Sequence, residues 1–313
     1  MPGVSPDPPP HRAMLVGMAE IRWFARRPPK PVRPLLIAVF DGEDDPARSG
    51  FLALSFMRDA FDAEKVAEID VDAFVSYDEA RPFVSQSGSQ RTLDWPTIDI
   101  FLGRDKVSGR EVVLVSFLEP RVGWRSYSTL AVEAIRSMNP EEVIFLGGQI
   151  VHAPHNVAAE TTVRSNTPRL MRSLGLMPDH YTGPTTIMGG VQVELENLGI
   201  PLAVAWSSVP HYLAQTPSPK AAQSLVAKVG ELFKLDLDAS QFDAAVAEYE
   251  DAIAKIMESD DEVFSYLSRF ESEEEEDETI GLEEYVSTDP SGLASDLAEE
   301  AEDYLRQIRR DID

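Results

Sequence analysis

Short apolar runs that alternate with stretches of helical periodicity most constrain the fold of this chain. Residues 34–40, P-L-L-I-A-V-F, form a nearly continuous apolar run, which is typical of a strand buried on both faces. Helices are predicted at residues 51–61 and at Tyr127–Met138. The further strand candidates are Val66–Asp70, Thr97–Leu102, Glu111–Phe117, Glu142–Leu146, Thr185–Met188 and Leu202–Ser207. Strands alternating with helices predict a three-layer α/β/α sandwich.

The pattern changes after Leu235. Apolar residues then recur at alternating spacings of four and three, which is typical of a heptad-like helix, and Ser240 is its predicted N-cap. These positions are Phe242, Val246, Tyr249, Ile253 and Ile256, followed after a polar position at Asp260 by Val263, Leu267 and Phe270. A second helix is predicted from about Ser291, with one apolar face formed by Leu293, Leu297, Ala301, Leu305, Ile308 and Ile312. The chain therefore ends in a predicted C-terminal α-helical hairpin.

Charge divides the chain in the same way. The net charge of −26 is concentrated after residue 235, where 27 acidic residues stand against 5 Lys or Arg. We predict a Pro-rich, partly disordered segment at 1–33, a core domain at 34–235 and an acidic helical extension at 236–313. The extension either keeps the protein soluble or binds a basic partner surface. Nucleic acid is not an expected partner, because no dense basic patch is visible.

The composition also bears on the compartment. The chain has no cysteine, which excludes disulfides, thiolate metal sites and a cysteine nucleophile. Its N-terminal apolar run, residues 13–19, is too short for a membrane span and wrongly flanked for a secretory signal. A cytoplasmic protein without a membrane partner is the expectation.

The segment V-P-H-Y-L-A-Q-T-P-S-P-K-A-A, residues 209–222, follows a predicted strand and contains the best candidates for a site. Ser218 fits a helix N-cap, with Pro219 at the first helical position. Lys220 is less expected, because a cation in the first turn opposes the helix dipole. It either extends into solvent or faces an anion or carboxylate from elsewhere. His211 and Tyr212 lie where open α/β sheets bind ligands.

Metal and cofactor sites are not expected. His152 and His155 are three residues apart, but Pro154 between them disfavours a helix that would align them as ligands. The acidic turn D-G-E-D-D, residues 41–45, fits helix capping without a metal. The nucleophile elbow, the phosphate-binding loop and the dinucleotide fingerprint are all absent from the sequence. No catalytic residue is assigned.

Several motifs together resemble the proteasome assembly chaperone type-two family. The resemblance spans roughly residues 34–235. It rests on L-G-G-Q-I-V-H-A-P-H, H-Y-T-G-P-T-T-I-M-G-G-V and L-G-I-P-L-A-V-A-W-S-S-V-P-H-Y-L-A-Q-T-P-S-P-K-A, together with I-A-V-F-D-G, R-P-F-V-S-Q-S-G-S-Q-R-T-L-D-W-P and F-L-E-P-R-V-G-W-R-S-Y. Its bacterial branch includes members with an acidic helical extension and no established activity.

The resemblance implies a phosphorylase/hydrolase-like α/β/α fold, homo-oligomers with trimers among them, and contacts with proteasome subunits. Relatives that dock into proteasome pockets often end in a hydrophobic-Tyr-any tail. This chain ends R-R-D-I-D, which argues against tail docking and leaves contacts through the body. The first turn also departs from the family pattern, with Glu43 to Pro46 where relatives often have Trp and Asp-Ala.

Three functions remain open from the sequence. The first is a non-enzymatic, homo-oligomeric interaction protein. The second is a hydrolase or nucleoside-handling enzyme with a ligand pocket near residues 209–220, and the third is a structural ring joined by the hairpin helices. The residues predicted to form an interface or a pocket are His155, His211, Tyr212, Ser218, Lys220, Trp124 and Arg125, since aromatic residues and arginine dominate interface energetics.

Overall fold

The structure, a computed structural model, describes residues 12–16, 19–24, 31–78, 80–88 and 90–259. The strands are β1 Arg12–Val16, β2 Ala19–Trp23, β3 Leu35–Phe40, β4 Glu64–Asp70, β5 Phe83–Ser87, β6 Gln90–Asp94, β7 Thr97–Arg104, β8 Glu111–Phe117, β9 Glu142–Val151, β10 Thr161–Arg164 and β11 Leu202–Pro210. The helices are α1 Ser49–Ala60, α2 Trp124–Ser137, α3 Pro168–Leu174, α4 Ile187–Asn197, α5 Pro219–Phe233 and α6 Asp243–Ser259.

Nine strands form one mixed sheet in the order β1-β2-β4-β7-β8-β3-β9-β11-β10. The four central strands β8, β3, β9 and β11 run parallel, and the outer strands pair antiparallel. Because parallel strands need crossover connections, helices cover both faces of this centre. Five of the six further strand predictions, and that at 34–40, are confirmed within a few residues at each end.

The two faces of β3 show how the layers form. Leu36, Ala38 and Phe40 point into the core beneath α2 and α4, whereas Leu35, Ile37 and Val39 point toward α1 and α5. All six residues are buried, as the unbroken apolar run predicted. Helices α1 and α5 contact each other on one side, and α2 and α4 on the other. The three-layer α/β/α sandwich is confirmed.

The predicted strand at Thr185–Met188 is wrong, because helix α4 begins there. The Thr186 side chain caps this helix by accepting a hydrogen bond from the Gly189 amide, and it donates one to the Asp44 carboxylate at 2.8 Å. The β-branched run T-T-I favours a strand locally. A carboxylate 142 residues earlier in the chain helps to hold it as a helix start.

The N-terminal region contributes to the sheet. Strands β1 and β2 pair with each other, and β2 pairs with β4. Ile21 and Trp23 are buried core residues, which the predicted domain boundary at residue 34 left outside. Both strands lie within the segment 1–33 for which the sequence predicts partial disorder.

The first helix of the acidic extension packs against the body of the protein. A short 3-10 turn, Ala239–Phe242, precedes α6, and the Asp238 carboxylate caps this turn by accepting from the Ser240 amide. The predicted N-cap at Ser240 is therefore wrong. Phe242 contacts Phe56 of α1, and Ile253 is buried against Leu213. The acidic run 271–278 and the second predicted helix lie outside the described residues.

Candidate functional site

The site begins where the strands end, at the carboxyl edge of the sheet. The turn after β3 is joined to the segment after β11 by two backbone hydrogen bonds, from the Ala47 amide to the Ala214 carbonyl and from the Ser218 amide to the Ala47 carbonyl. Gly147 of β9 lies below this turn, where a Cβ atom would come within 2.4 Å of the Asp44 carbonyl oxygen. The L-G-G motif thus permits the close approach of the turn.

Two buried aspartates in this turn stabilise the starts of two helices. Asp45 accepts hydrogen bonds from the Gly50 and Phe51 amides of α1, at 2.6 and 2.8 Å. Asp44 accepts from the Thr186 hydroxyl at the start of α4. Burial raises the pKa of each carboxyl to about 6, and their hydrogen bonds only partly oppose this effect. The acidic turn thus caps helices, as the sequence indicated.

The raised pKa of Asp45 predicts a specific dependence of stability on pH. Because the folded protein binds this proton more tightly than the unfolded chain, the contribution is fully present below about pH 4 and is lost as pH rises through 6. At 1.36 kcal/mol per pKa unit, it amounts to at most about 3 kcal/mol. Asp45→Asn should lack this component, so its stability relative to the natural protein should improve as pH rises from 4 to 7.

Urea unfolding at a series of pH values would measure this difference. Asp78→Asn, which removes an exposed carboxylate, is the matched control. Asp44 stays in both proteins, so the difference reports the Asp45 carboxyl together with its coupling to Asp44. A stability difference between Asp45→Asn and the natural protein that is constant across pH 4–7 would contradict the prediction.

Four of the predicted site residues meet in one network behind the end of β11. The Tyr212 hydroxyl contacts the backbone amide and the Nδ1 atom of His155, at 2.8 and 3.0 Å. The Lys220 ammonium donates to the His155 carbonyl at 2.7 Å. Ser218 caps α5 by accepting from the Ala221 amide at 3.2 Å, as predicted. The network joins the loop after β9, the turn after β11 and the start of α5.

Lys220 faces a carboxylate, one of the two alternatives left open by the sequence. Its ammonium pairs with Glu250 of α6 at 2.5 Å, and its side chain is only 13% exposed. Extension into solvent is therefore wrong. This ion pair offsets the unfavourable position of a cation at a helix N-terminus and attaches α6 to the body.

His211 lies beside this network. Its ring is 4.8 Å from the ring of the exposed His152, centroid to centroid, and it packs edge-to-face on Tyr212. Burial lowers the pKa of His211, and the neighbouring His152 lowers it further, while a hydrogen bond with the Val151 backbone opposes both effects. His211 therefore favours the neutral form.

A small cavity of about 280 Å³ borders the network. Its walls are largely apolar, with Lys220, Ser218 and Tyr249 at the α6 side. Burial raises the pKa of Tyr249 to about 12, so this phenol stays protonated across the physiological range. The cavity lies under α6, and its one ammonium group is held by Glu250 and the His155 carbonyl.

Trp124 and Arg125, the other two predicted residues, do not join this network. They begin α2, which packs on the opposite face of the sheet from α5, and both side chains are exposed. They follow the loop after β8. A second structural feature lies next to this loop, at the same edge of the sheet.

That feature is a two-stranded antiparallel ribbon formed by β5 and β6, which belongs to neither layer of helices and not to the main sheet. Phe83 and Trp95 are 71% and 55% exposed, and Val84 and Leu93, directly opposite each other, are each 47% exposed. Tyr77 stacks edge-to-face on Trp95. The ribbon therefore presents apolar side chains on both of its faces, because neighbouring residues in a strand point to opposite sides.

A cleft of about 490 Å³ separates the base of the ribbon from the strand ends. Phe83, Trp95 and Arg81 line its ribbon side, and Asp41 and Glu119 line the opposite side. Such a cleft, with aromatic walls and charged rims, has the composition of a protein-binding surface.

Within the described residues, no group of three or more His, Asp or Glu side chains is arranged to hold a metal ion. None of the described helices is long and apolar enough to cross a bilayer.

Sequence reasoning missed two parts of this region. Glu250 is one of 27 acids after residue 235, and nothing in its local pattern marks it as the partner of Lys220. The ribbon was missed as a structure, although R-P-F-V-S-Q-S-G-S-Q-R-T-L-D-W-P had been recognised as a motif. The available signal for a hairpin was Gly88, flanked on both sides by short runs of polar residues.

The described part of the chain is thus a three-layer α/β/α sandwich whose strand-end residues bond to one another, beside a projecting two-stranded ribbon. The profile of the PAC2 family matches residues 39–257, and the chain belongs to this family. A comparison with curated proteins finds no significant match.

Solved structures agree with this assignment. A PAC2 family protein from Streptomyces avermitilis is 26% identical, with a TM-score of 0.67 over 74% of this chain and 99% of that protein. A Mycobacterium tuberculosis proteasome-assembly chaperone homologue is 28% identical, with a TM-score of 0.64 over the same shares of the two chains. A second M. tuberculosis protein, of unknown function, is 24% identical and has a TM-score of 0.69 over 85% of this chain and 91% of its own. The last likeness shows the fold alone.

Proposed function

We propose that this protein is a non-enzymatic, homo-oligomeric interaction protein that contacts proteasome subunits through its body. The observation that carries the proposal is the β5–β6 ribbon. A two-stranded ribbon is at best marginally stable in water without further packing. Soluble monomers rarely expose large contiguous apolar patches, and those that occur mark interaction sites. The ribbon therefore fits a surface that another polypeptide covers.

Family membership supplies the second support. The M. tuberculosis relative, at 28% identity, is described as a proteasome-assembly chaperone homologue. Trp124 and Arg125 are exposed and follow the loop whose residues Glu119 and Arg121 line the cleft beside the ribbon, and these residue types dominate binding hot spots. A cytoplasmic location would bring the protein together with such a partner.

The enzyme alternative is not favoured. It required a free cation or an open polar pocket near residues 209–220. Lys220 is instead held by Glu250 and the His155 carbonyl, and the cavity beside it is largely apolar. These contacts give Lys220 a structural role in attaching α6.

Self-association can be tested with the full-length chain by size-exclusion chromatography with light scattering. The natural protein should elute at a multiple of 34.6 kDa. The double variant Val84→Asp/Leu93→Asp should shift toward the monomer, with an association constant lower by at least tenfold, because a charge in an apolar interface stays unpaired. Val193→Asp, at a 54% exposed position on α4, is the matched control and should keep the natural mass.

The proteasome contact is tested separately, by affinity capture from native cytosol with the full-length chain and mass spectrometry of the bound proteins. Proteasome α subunits should be enriched by the natural protein and by Val193→Asp. If the protein captures only further copies of itself, the proteasome part of the proposal is contradicted and self-association still stands.

A further inference from the structure

The edge of the sheet beside the ribbon is acidic. Asp41 and Glu43, in the turn after β3, are exposed, and Glu119 after β8 lies next to them. The buried carboxyls of Asp44 and Asp45 lie in the same turn. The acidic edge is defined here as Asp41, Glu43 and Glu119. Asp41 and Glu119 line the cleft described above together with Arg121, and Glu43 lies in the same turn as Asp41.

The ribbon carries the opposite charge. Residues 81–94 contain Arg81 and Arg91 against one acid, Asp94, a net charge of +1 within a protein of net charge −26. Both arginine side chains are exposed. The ribbon and the acidic edge are therefore complementary surfaces within one chain.

Among the residues that the structure describes, none covers the whole ribbon. Phe83 lines the chain's own cleft, whereas Val84 and Leu93 form the next pair along the ribbon and lie on the opposite face from Phe83. This pair stays about half exposed. Val122 and Trp124, near the acidic edge, are also exposed apolar residues. Within the described part of the chain, an exposed apolar pair thus lies on a ribbon of net positive charge, and exposed apolar residues lie beside an acidic edge.

We propose that the ribbon of one copy docks on the acidic edge of a second copy, with Arg91 facing Asp41 and Glu43, and with Val84 and Leu93 packed against Val122 and Trp124. The two surfaces are different parts of the chain, so the contact is head-to-tail. A head-to-tail contact closes into a ring when its rotation allows. This inference rests on the proposed self-association and specifies its interface.

Site-specific cross-linking of the full-length protein tests the contact. Because the chain has no cysteine, Leu93→Cys and Glu43→Cys can be introduced one at a time without background. The two variants are co-expressed with different tags, purified through both tags, and treated with a short bis-maleimide. The expected product joins position 93 of one copy to position 43 of the other. Pairing Leu93→Cys with Arg172→Cys, an exposed position on α3, is the control and should give no such product.

Charge reversal gives an independent readout. Arg91→Glu and Glu43→Arg should each weaken self-association by about tenfold or more, and the two together in one chain should restore most of it, because the pair is then reversed rather than broken. Arg172→Glu should leave the association unchanged. The association should also weaken as salt is raised.

The outcomes separate the two proposals. An oligomer that gives only 93-to-93 products would show a symmetric ribbon contact and overturn the head-to-tail inference. An oligomer that gives neither product and ignores both charge reversals would place the interface elsewhere and overturn it as well, with self-association intact. A protein that is monomeric at all concentrations would overturn the proposed self-association itself.

Discussion

Phe40→Ala is expected to lower the free energy of unfolding by about 3–5 kcal/mol, the range for truncating a buried aromatic residue. Phe40 ends the central strand β3 and is fully buried. Its ring stacks on Phe117 at 4.7 Å and packs edge-to-face on Phe145 at 5.1 Å. Removing it leaves a cavity between this face of the sheet and helices α2 and α4, which the closely packed surroundings fill only in part.

Chemical denaturation measures this loss, with the natural protein and Leu198→Ala run in parallel. Leu198 is half exposed at the end of α4, so its truncation should change stability by about 0.5 kcal/mol or less. Phe40→Leu keeps part of the volume and should lose less than the alanine variant. A loss below about 1 kcal/mol for Phe40→Ala would mean that the strand ends repack easily, contrary to their close packing here.

Strand β3, which contains Phe40, illustrates which elements could be predicted from the sequence. An unbroken apolar run is a local signal, and it identified β3 and its parallel neighbours because strands buried on both faces need nothing else to be recognised. The start of α5 could also be predicted from a local signal, because the Ser218 cap and the proline after it act within one turn. Elements defined by short-range chemistry were therefore predictable.

The errors occur where distant residues decide the structure. Thr185–Met188 has strand propensity, but Asp44 and the Thr186 cap make it a helix start. The partner of Lys220 could not be chosen among many acids, because Glu250 reaches it only when α6 lies antiparallel beside α5. The ribbon likewise pairs only with itself, so no burial pattern marks it. Tertiary contacts of this kind leave no local periodicity in the sequence.

Ile253→Asp is the second change with a large expected effect, and it acts on α6 alone. Ile253 is 4% exposed and packs on Leu213, with Tyr212 and Tyr249 beside it. Removing its apolar contacts should cost about 2–5 kcal/mol, and burying an unpaired carboxylate adds to this. Because none of the described α6 side chains lies in the two main core clusters, undocking the helix should be less costly than burying the charge.

Hydrogen exchange would show this undocking directly. Amide protection within residues 243–255 should fall by about 30-fold or more in Ile253→Asp, taking 1.4 kcal/mol as a tenfold change, while protection of the central strands stays within a few-fold. Ala252→Asp adds the same charge at the neighbouring, exposed position and should leave α6 protected. Undocking would also separate Glu250 from Lys220, so acylation of the Lys220 amine should accelerate in Ile253→Asp and not in Ala252→Asp. If the central strands lost protection together with α6, the helix would belong to the cooperatively unfolding core. The Lys220–Glu250 pair would then join two parts of one folding unit rather than attach a separable helix.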